Sequence, residues 1–504
     1  MPNTRIACPQ LRSRVMSAQD AAALDAPNSR IGMSGFTAAG YPKAVPVALA
    51  ARIEAAHARG ERFAVQVWSG ASTGPELDGA LARANAVEFR MPYNSDPTAR
   101  DKINSGAMEY LDMHLSQVAP MVWEGFMGTE DVAVIEVTAI RADGSLVPST
   151  SAGNNKTWID RASKVILEVN RWQNPALEGM HDIYYGTTLP PDRMPIPLIR
   201  PDDRIGEPYF RCDPAKVIAV VETDAPDRNQ TLPDPDASAQ AIAGHLIGFL
   251  QHEVAMGRLP ANLLPLQSGV GSVANAVLAG LGSSSLSGLT AFTEVIQDSM
   301  LDLLLSGKLR VASSAALCLG PEAMELLGAN MRELHQRIIL RPQEISNHPE
   351  LIRRLGCIAM NGMIEADIYG NVNSTHVMGS RIQNGIGGSG DFARHAYISG
   401  FTAPAPAKCG KISTIVPHVS HVDHIMQDVQ VLVTEQGLAD MRGLPPKRRA
   451  RLVIDNCAHP DFRPMLHDYY ERALKQSYGL QTPTLLSEAL SWHQRFVEIG
   501  TMRR

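Results

Sequence analysis

The stretch Leu289-Thr290-Ala291-Phe292-Thr293-Glu294 predicts a short buried strand that ends in one carboxylate. A glycine turn precedes it at Ser268-Gly269-Val270-Gly271-Ser272-Val273-Ala274, and a denser one follows at Asn384-Gly385-Ile386-Gly387-Gly388-Ser389-Gly390-Asp391. Strands that alternate with such turns and with helices are typical of a mostly parallel sheet, in which ligands bind at the carboxyl ends of the strands. We therefore expect both turns and Glu294 at that edge.

The alternation of strands, turns and helices continues along the chain. Runs rich in β-branched residues predict strands at 63–68, 131–138, 164–169 and 217–221. Their nearly continuous apolarity is typical of parallel strands buried on both faces. Residues 223–236 are crowded with Asp, Pro and Asn, which favours a linker. We therefore predict an α/β fold of two mostly parallel domains, 1–222 and 238–504, joined by a linker at 223–237 and ending in helices.

The composition excludes several classes of partner. The 46 basic and 52 acidic residues leave a net charge of -6, with no basic stripe of the kind that follows a nucleic-acid backbone. The six cysteines include no Cys-x-x-Cys pair, which predicts neither a disulfide framework nor a zinc site. No signal peptide is visible, and no run reaches the roughly 18 apolar residues that span a bilayer. We expect a cytoplasmic protein that binds neither nucleic acid nor membrane.

The two glycine turns predict ligand binding but differ in which ligand they favour. The turn from Gly269 to Ala274 fits the pattern G-x-G-x-x-A, and Glu294 supplies the acidic residue roughly 20 positions on, so a dinucleotide cofactor remains open. Residues 385–390 include four glycines ahead of a helical segment. Their amides can cradle a phosphate or supply an oxyanion hole, and a mobile surface loop is the alternative interpretation.

Glu294 stands in an apolar neighbourhood that is unusual for a glutamate. Phe292 precedes it, Val295 and Ile296 follow it, and a helix is predicted to begin near Gln297. A carboxylate in apolar surroundings is poorly solvated, which makes it a stronger nucleophile toward an activated acyl group. The sequence therefore favours Glu294 as a nucleophile.

Other catalytic motifs are absent or incomplete. The sequence contains no Gly-x-Ser-x-Gly elbow, and Gly410-Lys411-Ile412-Ser413 lacks the upstream glycine and the adjacent hydroxyl residue of a P-loop. His418, His421 and His424 stand three residues apart, which spreads them around a helix or places them on opposite faces of a strand. We therefore predict no metal site.

Several motifs together resemble one known family. They include Ser34-Gly35-Phe36-Thr37-Ala38-Ala39-Gly40-Tyr41-Pro42-Lys43, Gly70-Ala71-Ser72-Thr73-Gly74, Glu294-Val295-Ile296-Gln297-Asp298 and Thr434-Glu435-Gln436-Gly437, with 267–273, 360–367 and 384–392. On these residues the chain resembles the acetyl-CoA hydrolase/transferase family of class I CoA-transferases, and within it most closely the succinyl-CoA:acetate CoA-transferases. The resemblance runs nearly end to end.

The resemblance implies a homodimer of two related α/β domains and a set of site residues. Glu294 matches the family's nucleophile, Gly388 an oxyanion donor, and Asn347, Arg228 and Glu435 match supports of the active site. The positions that match contacts to coenzyme A or its thioester are Gly269, Val270, Gly271, Ser272, Val273, Ile364, Asn384, Gly388 and Lys408. Coenzyme A is then a substrate, and no permanently bound cofactor is expected.

The expected reaction is transfer of CoA from succinyl-CoA to acetate through a glutamyl-CoA thioester on Glu294, with ping-pong kinetics. Propionate or another short acid remains open in place of acetate, because one methylene in a pocket is worth only about 1 to 3 kcal/mol. Three alternatives also remain: an acetyl-CoA hydrolase of the same family, an NAD-dependent dehydrogenase, and a CoA-binding protein without catalysis.

Overall fold

The computed structural model describes residues 5–231 and 233–503. Positions 1–4, 232 and 504, which belong to the predicted domains and linker, lie outside the described residues. The chain divides into two compact units: residues 5–231 with Ala291–Leu305 and Arg310–Arg354, and residues 233–290 with Ser306–Leu309 and 355–503. The units interleave along the chain, and the consecutive division at 223–237 stays a prediction.

The strands of the described residues are numbered in chain order. The first twelve are β1 Arg30–Met33, β2 Val65–Trp68, β3 Val87–Met91, β4 Glu109–Tyr110, β5 Val132–Ile140, β6 Leu146–Pro148, β7 Lys164–Asn170, β8 Val217–Thr223, β9 Leu266–Ser268, β10 Leu289–Phe292, β11 Val295–Gln297 and β12 Leu309–Ser314. The others are β13 Ala316–Cys318, β14 Ile338–Leu340, β15 Ile358–Gly362, β16 Glu365–Asp367, β17 Val372–Asn373, β18 His376–Val377, β19 Arg381–Ile382, β20 Ile398–Thr402, β21 Pro406–Ala407, β22 Ile412–Ser413, β23 Ile415–Val416, β24 Val431–Thr434 and β25 Gly437–Asp440.

The helices are numbered in the same way. They are α1 Pro9–Arg12, α2 Ala18–Ala22, α3 Ala44–Ala58, α4 Ala80–Arg83, α5 Pro97–Asn104, α6 Leu115–Trp123, α7 Asn155–Arg161, α8 Ala237–Ala255, α9 Ser272–Ser283, α10 Asp298–Leu305, α11 Pro321–Ala329, α12 Met331–Leu334, α13 Gln343–Ser346, α14 Pro349–Leu355, α15 Ser389–His395, α16 Pro446–Cys457, α17 Arg463–Gln476 and α18 Ser491–Ile499. A π-helical turn at Pro75–Gly79 and 3₁₀ turns at Pro175–Leu177 and Pro214–Lys216 complete the set.

The first unit contains a mostly parallel sheet in the order β4-β3-β2-β1-β5-β7-β8, with β6 antiparallel to β5. Its central pairs are in parallel register, as in Ile31 with Val67 and Ile31 with Val132. The chain moves outward from β1 to β4 and then returns to β5 on the other side of β1. The strand order therefore reverses between β1 and β5, which is where ligands bind in open α/β sheets.

Both faces of this sheet are buried. Val132 and Val134 of β5 pack into one apolar cluster with Ile31 and Val67, whereas Ala133 and Ile135 belong to a second cluster that includes Trp158. Successive side chains of a strand point to opposite faces, so two clusters on one strand mean that helices cover both sides. The continuous apolarity of these runs therefore predicted the strands correctly.

The second unit contains a second parallel set of strands in the order β9-β15-β20-β24, with β25 antiparallel at its edge. Two observations confirm local predictions. The segment 367–373 forms a hairpin in which Ala366 pairs with Val372 and Gly370 takes a φ of 96° at the tip. Helices α17 and α18 occupy most of the C-terminal end. The predicted α/β class with mostly parallel sheets is confirmed.

Among residues 5–231 and 233–503, no helix is both long and apolar enough to cross a bilayer.

A buried carboxyl group between α2 and β1 makes the stability of the fold depend on pH. Asp25 is 2 % exposed, and neither carboxylate oxygen has a hydrogen-bond partner among the described residues. Burial raises the pKa of Asp25 to about 7, against smaller opposing effects of Arg52 and Lys164. A raised pKa means that the folded state favours protonated Asp25. The contribution of this group to the free energy of unfolding is therefore fully present below its ordinary pKa and is lost as the pH rises through 7.

We expect Asp25→Asn to raise the melting temperature at pH 8 and to leave it nearly unchanged at pH 4, because the amide cannot ionise. The free-energy gain at pH 8 is at most roughly 4 kcal/mol. Differential scanning calorimetry at both pH values measures it, with Asp192→Asn at an exposed position as the control. An equal gain at both pH values would contradict this account of Asp25.

Candidate active site

Glu294 lies in the first unit, in a two-residue break between β10 and β11. Its side chain is half-buried, whereas Phe292, Val295 and Ile296 beside it are buried. The strand ends at Phe292, two residues before the sequence predicted. Thr293 N donates to Ser313 O (2.9 Å), and Ala315 N donates to Glu294 O (2.9 Å). The backbone on both sides of the carboxylate is therefore fixed by hydrogen bonds.

The strand that follows Glu294 packs against the loops that follow β1 and β2. Val295 pairs with Ala316 in parallel register and joins an apolar cluster with Phe36, Ala71 and Leu115. Phe36 and Ala71 belong to the glycine-rich stretches after the two strands. These loops lie at the carboxyl ends of β1 and β2, as the sequence predicted, and they bring apolar side chains to the neighbour of Glu294.

Asn347 also lies in the first unit, directly after α13, and it is fully buried. Its Oδ1 accepts a hydrogen bond from Ser346 Oγ (3.1 Å), and its Nδ2 has no partner among the described residues. Gln343 anchors the helix because its N donates to Gly153 O (2.9 Å) and its Nε2 to Leu115 O (3.0 Å). A buried amide with an unused donor is costly unless a ligand or water completes it.

Arg228 borders a cavity of about 970 Å³ in the first unit, which Thr73, Gly74 and Asn229 also line. Its Nε donates to Glu76 Oε1 (2.7 Å), and Tyr41 Oη donates to Glu76 Oε2 (2.5 Å). Burial raises the pKa of Glu76, but the hydrogen bonds from Tyr41 and Arg228 outweigh it and hold that pKa below its ordinary value. Glu76 is therefore an anion that orients Arg228 beside the cavity.

The Gly269 turn lies in the second unit at the carboxyl end of β9. Gly269 N donates to Met360 O (3.0 Å), and Gly271 has a φ of 133° just before α9 begins. Gln267 ties β9 to β15, since its Oε1 accepts from Met360 N (3.1 Å) and its Nε2 donates to Asn361 Oδ1 (3.2 Å). Val270 at the tip is 56 % exposed. The turn is where the sequence predicted it.

The loop 384–391 lies in the second unit and leads into α15. It follows β19 of a two-stranded antiparallel sheet, and its place at the carboxyl edge of the parallel strands stays a prediction. Strand β19 contains no apolar run from which it could be predicted. Gly387 has a φ of 57°, and Gly388 precedes the first residue of α15, where Phe392 N donates to Gly388 O (3.0 Å).

The second unit also holds two further predicted contact residues, Ile364 and Lys408, and the predicted support Glu435. Ile364 is half-buried, and its N donates to Asn373 O (2.8 Å). Lys408 is exposed in the turn between β21 and β22, with a φ of 49°. Glu435 follows β24, and its Oε2 accepts from Ala405 N (2.7 Å). Because β9, β15, β20 and β24 are parallel, the Gly269 turn, Ile364 and Glu435, which follow β9, β15 and β24, lie at one edge of the sheet. Lys408 follows β21, which pairs only with β22 among the described residues.

The predicted residues thus fall into two sets. Glu294, Asn347 and Arg228 belong to the first unit, and all the predicted contacts to coenzyme A belong to the second. Sequence reasoning missed Glu76 and Tyr41 as partners of Arg228, although Tyr41 is in the stretch 34–43 and Glu76 follows the stretch 70–74. Among the residues that the structure describes, no group of three or more His, Cys, Asp or Glu could hold a metal ion.

Parallel sheets with glycine-rich loops at their carboxyl ends define an α/β protein that binds ligands along those edges. The model of the acetyl-CoA hydrolase/transferase N-terminal domain matches residues 6–222, and that of the corresponding C-terminal domain matches residues 325–470. The chain therefore belongs to the acetyl-CoA hydrolase/transferase family.

The relatives of this chain include a CoA-transferase and a hydrolase. The chain is 49 % identical to a succinyl-CoA:acetate CoA-transferase of Clostridium kluyveri, over 98 % of this chain and 91 % of the relative. It is 45 % identical to an acetyl-CoA hydrolase of Schizosaccharomyces pombe, over 94 % of this chain and 93 % of the relative. The crystal structure of RipA from Yersinia pestis shares the fold, with a TM-score of 0.71 at 22 % identity, over 94 % of this chain and 99 % of RipA. The protein is an enzyme of this family, whose members transfer or hydrolyse CoA thioesters.

The loops of the first unit approach each other so closely that Gly70 has no room for a side chain. A Cβ at Gly70 would lie 2.6 Å from Gly35 O and 3.1 Å from Gln343 Oε1. The backbone of one loop or the start of α13 would have to move, and α13 leads to Asn347. We expect Gly70→Ala to lower activity at least about tenfold, because displaced catalytic groups lose rate steeply, and to lower the melting temperature.

Gly244→Ala is the matched control. Gly244 is exposed within α8 and a Cβ there would contact nothing within 4 Å, so alanine should stabilise the helix by about 0.5 to 1 kcal/mol without loss of activity. Steady-state kinetics and thermal unfolding of both variants test the prediction. Full activity in Gly70→Ala would show that the close approach of the loops is not needed.

Proposed function

We propose that the enzyme is a CoA-transferase that moves CoA from succinyl-CoA to acetate or another short carboxylic acid, with Glu294 as the nucleophile. The observation that carries the proposal is the placement of Glu294, a half-buried carboxylate between buried apolar residues on a hydrogen-bonded backbone. Such a carboxylate loses solvation without losing its position, which favours attack on an activated acyl group. The 49 % identity to a succinyl-CoA:acetate CoA-transferase supports the choice of substrates.

The reaction starts when a carboxylate oxygen of Glu294 attacks the thioester carbonyl of the acyl-CoA. The carbon–sulfur bond breaks, and CoA thiolate leaves an acyl-glutamyl anhydride. The thiolate then attacks the glutamyl carbonyl of the anhydride, which releases the first acid and forms a glutamyl-CoA thioester. A second carboxylate runs the same steps in reverse and regenerates Glu294. No proton or water is consumed, so the energy of the thioester is conserved.

The other residues have supporting roles in the proposal. The amide of Gly388 stabilises the oxyanion of each tetrahedral intermediate, with the unused Nδ2 donor of Asn347 as a further support. The Gly269 to Val273 turn, Ile364, Asn384 and Lys408 contact coenzyme A, and Arg228 and Glu435 support the site. A homodimer in the cytoplasm completes the proposal.

The alternative is an acetyl-CoA hydrolase, which the 45 % identity to the Schizosaccharomyces pombe enzyme favours. Both activities share the attack of Glu294 and differ in whether water reaches the intermediate. The sequence identities to the transferase and to the hydrolase are similar, and an assay that follows both products at once distinguishes the two activities.

We expect the purified protein to form acetyl-CoA from succinyl-CoA and acetate without releasing free thiol. Acetyl-CoA and free thiol are measured in the same reaction. Release of thiol that does not depend on acetate would identify a hydrolase. Absence of both products would contradict both activities, and a thermal-shift comparison of NAD with CoA would then test the dinucleotide interpretation of the Gly269 turn.

We expect Glu294→Gln to lower turnover at least about 1000-fold, because the amide cannot act as the nucleophile. CoA binding, measured by thermal shift, should be retained. In the unmodified enzyme incubated with succinyl-CoA alone, mass spectrometry should find CoA attached to the peptide that contains Glu294. Substantial transferase activity in the variant would exclude Glu294 as the nucleophile.

A further inference from the structure

His424 in the second unit is buried and contacts Ser374 and Ser389, the first and last residues of the segment 374–389. The side chain is 3 % exposed, and its Nε2 lies 3.1 Å from Ser374 Oγ and 3.3 Å from Ser389 Oγ. Its ring packs on Phe401, with ring centroids 4.6 Å apart. The spacing of His418, His421 and His424 does not favour a metal site and leaves the role of these histidines open.

The backbone of His424 is held independently of its ring. His424 N donates to Val372 O (3.0 Å), and Val372 N donates to His424 O (2.8 Å). Val372 belongs to β17, which pairs with β16. The backbone of His424 is therefore held by β17, and the imidazole can restrain Ser374 and Ser389 through its side-chain contacts.

The contact with Ser389 determines which way its hydrogen bond runs. Ser389 Oγ donates its only hydrogen to Ile386 O at 2.6 Å. With its hydrogen on Ile386 O, the hydroxyl is an acceptor toward His424. This arrangement fits the tautomer with a hydrogen on Nε2, which also faces Ser374 Oγ at 3.1 Å. His424 is thus a donor to the turn 386–389.

This turn sets the direction of the Gly388 peptide. Ile386 O accepts from both Ser389 Oγ and Ser389 N (3.3 Å). Gly387 takes a left-handed conformation inside the turn, and α15 begins at Ser389. A hydrogen bond from His424 to Ser389 Oγ therefore holds the turn at Ser389, the first residue of α15.

Asp423 holds the other end of the same loop. Its Oδ2 accepts from Ser374 N (2.7 Å), and its two carboxylate oxygens lie 2.9 and 2.8 Å from Thr375 Oγ1. Two adjacent residues therefore hold both ends of the loop, one through Ser374 and Thr375 and one through Ser389.

We propose that His424 is a positioning residue for the oxyanion turn, which its Nε2–H holds through Ser389 so that the Gly388 amide keeps its direction. The inference rests on the proposed role of Gly388 in CoA transfer. It assigns to His424 an effect chiefly on the rate of the chemical step, because the turn that it contacts through Ser389 carries the proposed oxyanion donor Gly388.

Two substitutions separate the donor from the ring. His424→Phe keeps a ring that can pack on Phe401 and loses the donor, whereas His424→Gln loses the ring and keeps an amide N–H at about the reach of Nε2. We expect His424→Phe to lower kcat about 100-fold, in the range for loss of an oxyanion donor, with KM for succinyl-CoA changed less than about threefold. His424→Gln should recover at least a tenth of the wild-type kcat.

A merely structural role of the ring predicts the opposite order, with His424→Gln the more damaged enzyme. Hydrogen exchange by mass spectrometry gives a readout that does not depend on activity. Peptides that cover 384–392 should exchange faster in His424→Phe than in the wild type or in His424→Gln. Equal exchange in all three proteins, or nearly full kcat in His424→Phe, would overturn the role of His424.

The same set of proteins distinguishes this failure from failure of the proposed function. A wild type that neither transfers nor hydrolyses CoA thioesters overturns the proposed function and, with it, the catalytic part of the His424 inference. Faster exchange in His424→Phe would then still establish that His424 holds the turn. An active wild type with unchanged exchange and rate in His424→Phe overturns the His424 inference alone.

Discussion

The first unit depends on a buried ammonium group. Lys43 Nζ lies 2.6 Å from Glu136 Oε2 and 2.9 Å from Asp227 Oδ1, and it donates to Tyr41 O (2.9 Å). Burial lowers the pKa of Lys43, but the carboxylates of Asp227 and Glu136 outweigh it and raise that pKa above its ordinary value. Removing one partner of such a group typically costs 3 to 5 kcal/mol, since a charge is left unpaired. The loop after β1, strand β5 and the segment that carries Arg228 are therefore fixed to one another.

A third carboxylate close to Lys43 occupies the N-terminus of α3. Glu168 of β7 accepts hydrogen bonds from Lys43 N (2.6 Å), Ala44 N (3.0 Å) and Val45 N (3.0 Å), which are the first amides of α3. A helix N-terminus after the first strand of a parallel sheet is the usual phosphate site of dinucleotide-binding folds. Here the carboxylate of Glu168 accepts these amide hydrogens, so they are already used within the protein.

The sequence predicted features that depend on local pattern and missed those that depend on distant pairing. The run 131–138 was recognised because a strand buried on both faces is apolar throughout, and β5 spans Val132–Ile140. The break between β10 and β11 was not predicted, because it arises where the backbone forms hydrogen bonds with Ser313 and Ala315. The Arg228–Glu76 pair joins residues 152 positions apart, and no local pattern connects them. The three histidines show the same limit, since His421 stacks on His376 at 3.9 Å and His424 on Phe401.

In the proposed mechanism, transfer and hydrolysis start from the same attack by Glu294, and the packing beside Glu294 decides between them. An acyl-glutamyl anhydride and a glutamyl thioester both react with water, and an enzyme conserves the thioester only if water is kept from these carbonyls. Val295, Phe36 and Ala71 form an apolar cluster next to Glu294, and the Gly70 backbone reaches Gly35 O too closely for any larger residue. A site whose apolar wall depends on such close loop packing can change its access to water through small shifts of two loops. In the proposed mechanism, such shifts change the balance between transfer and hydrolysis without a change of nucleophile.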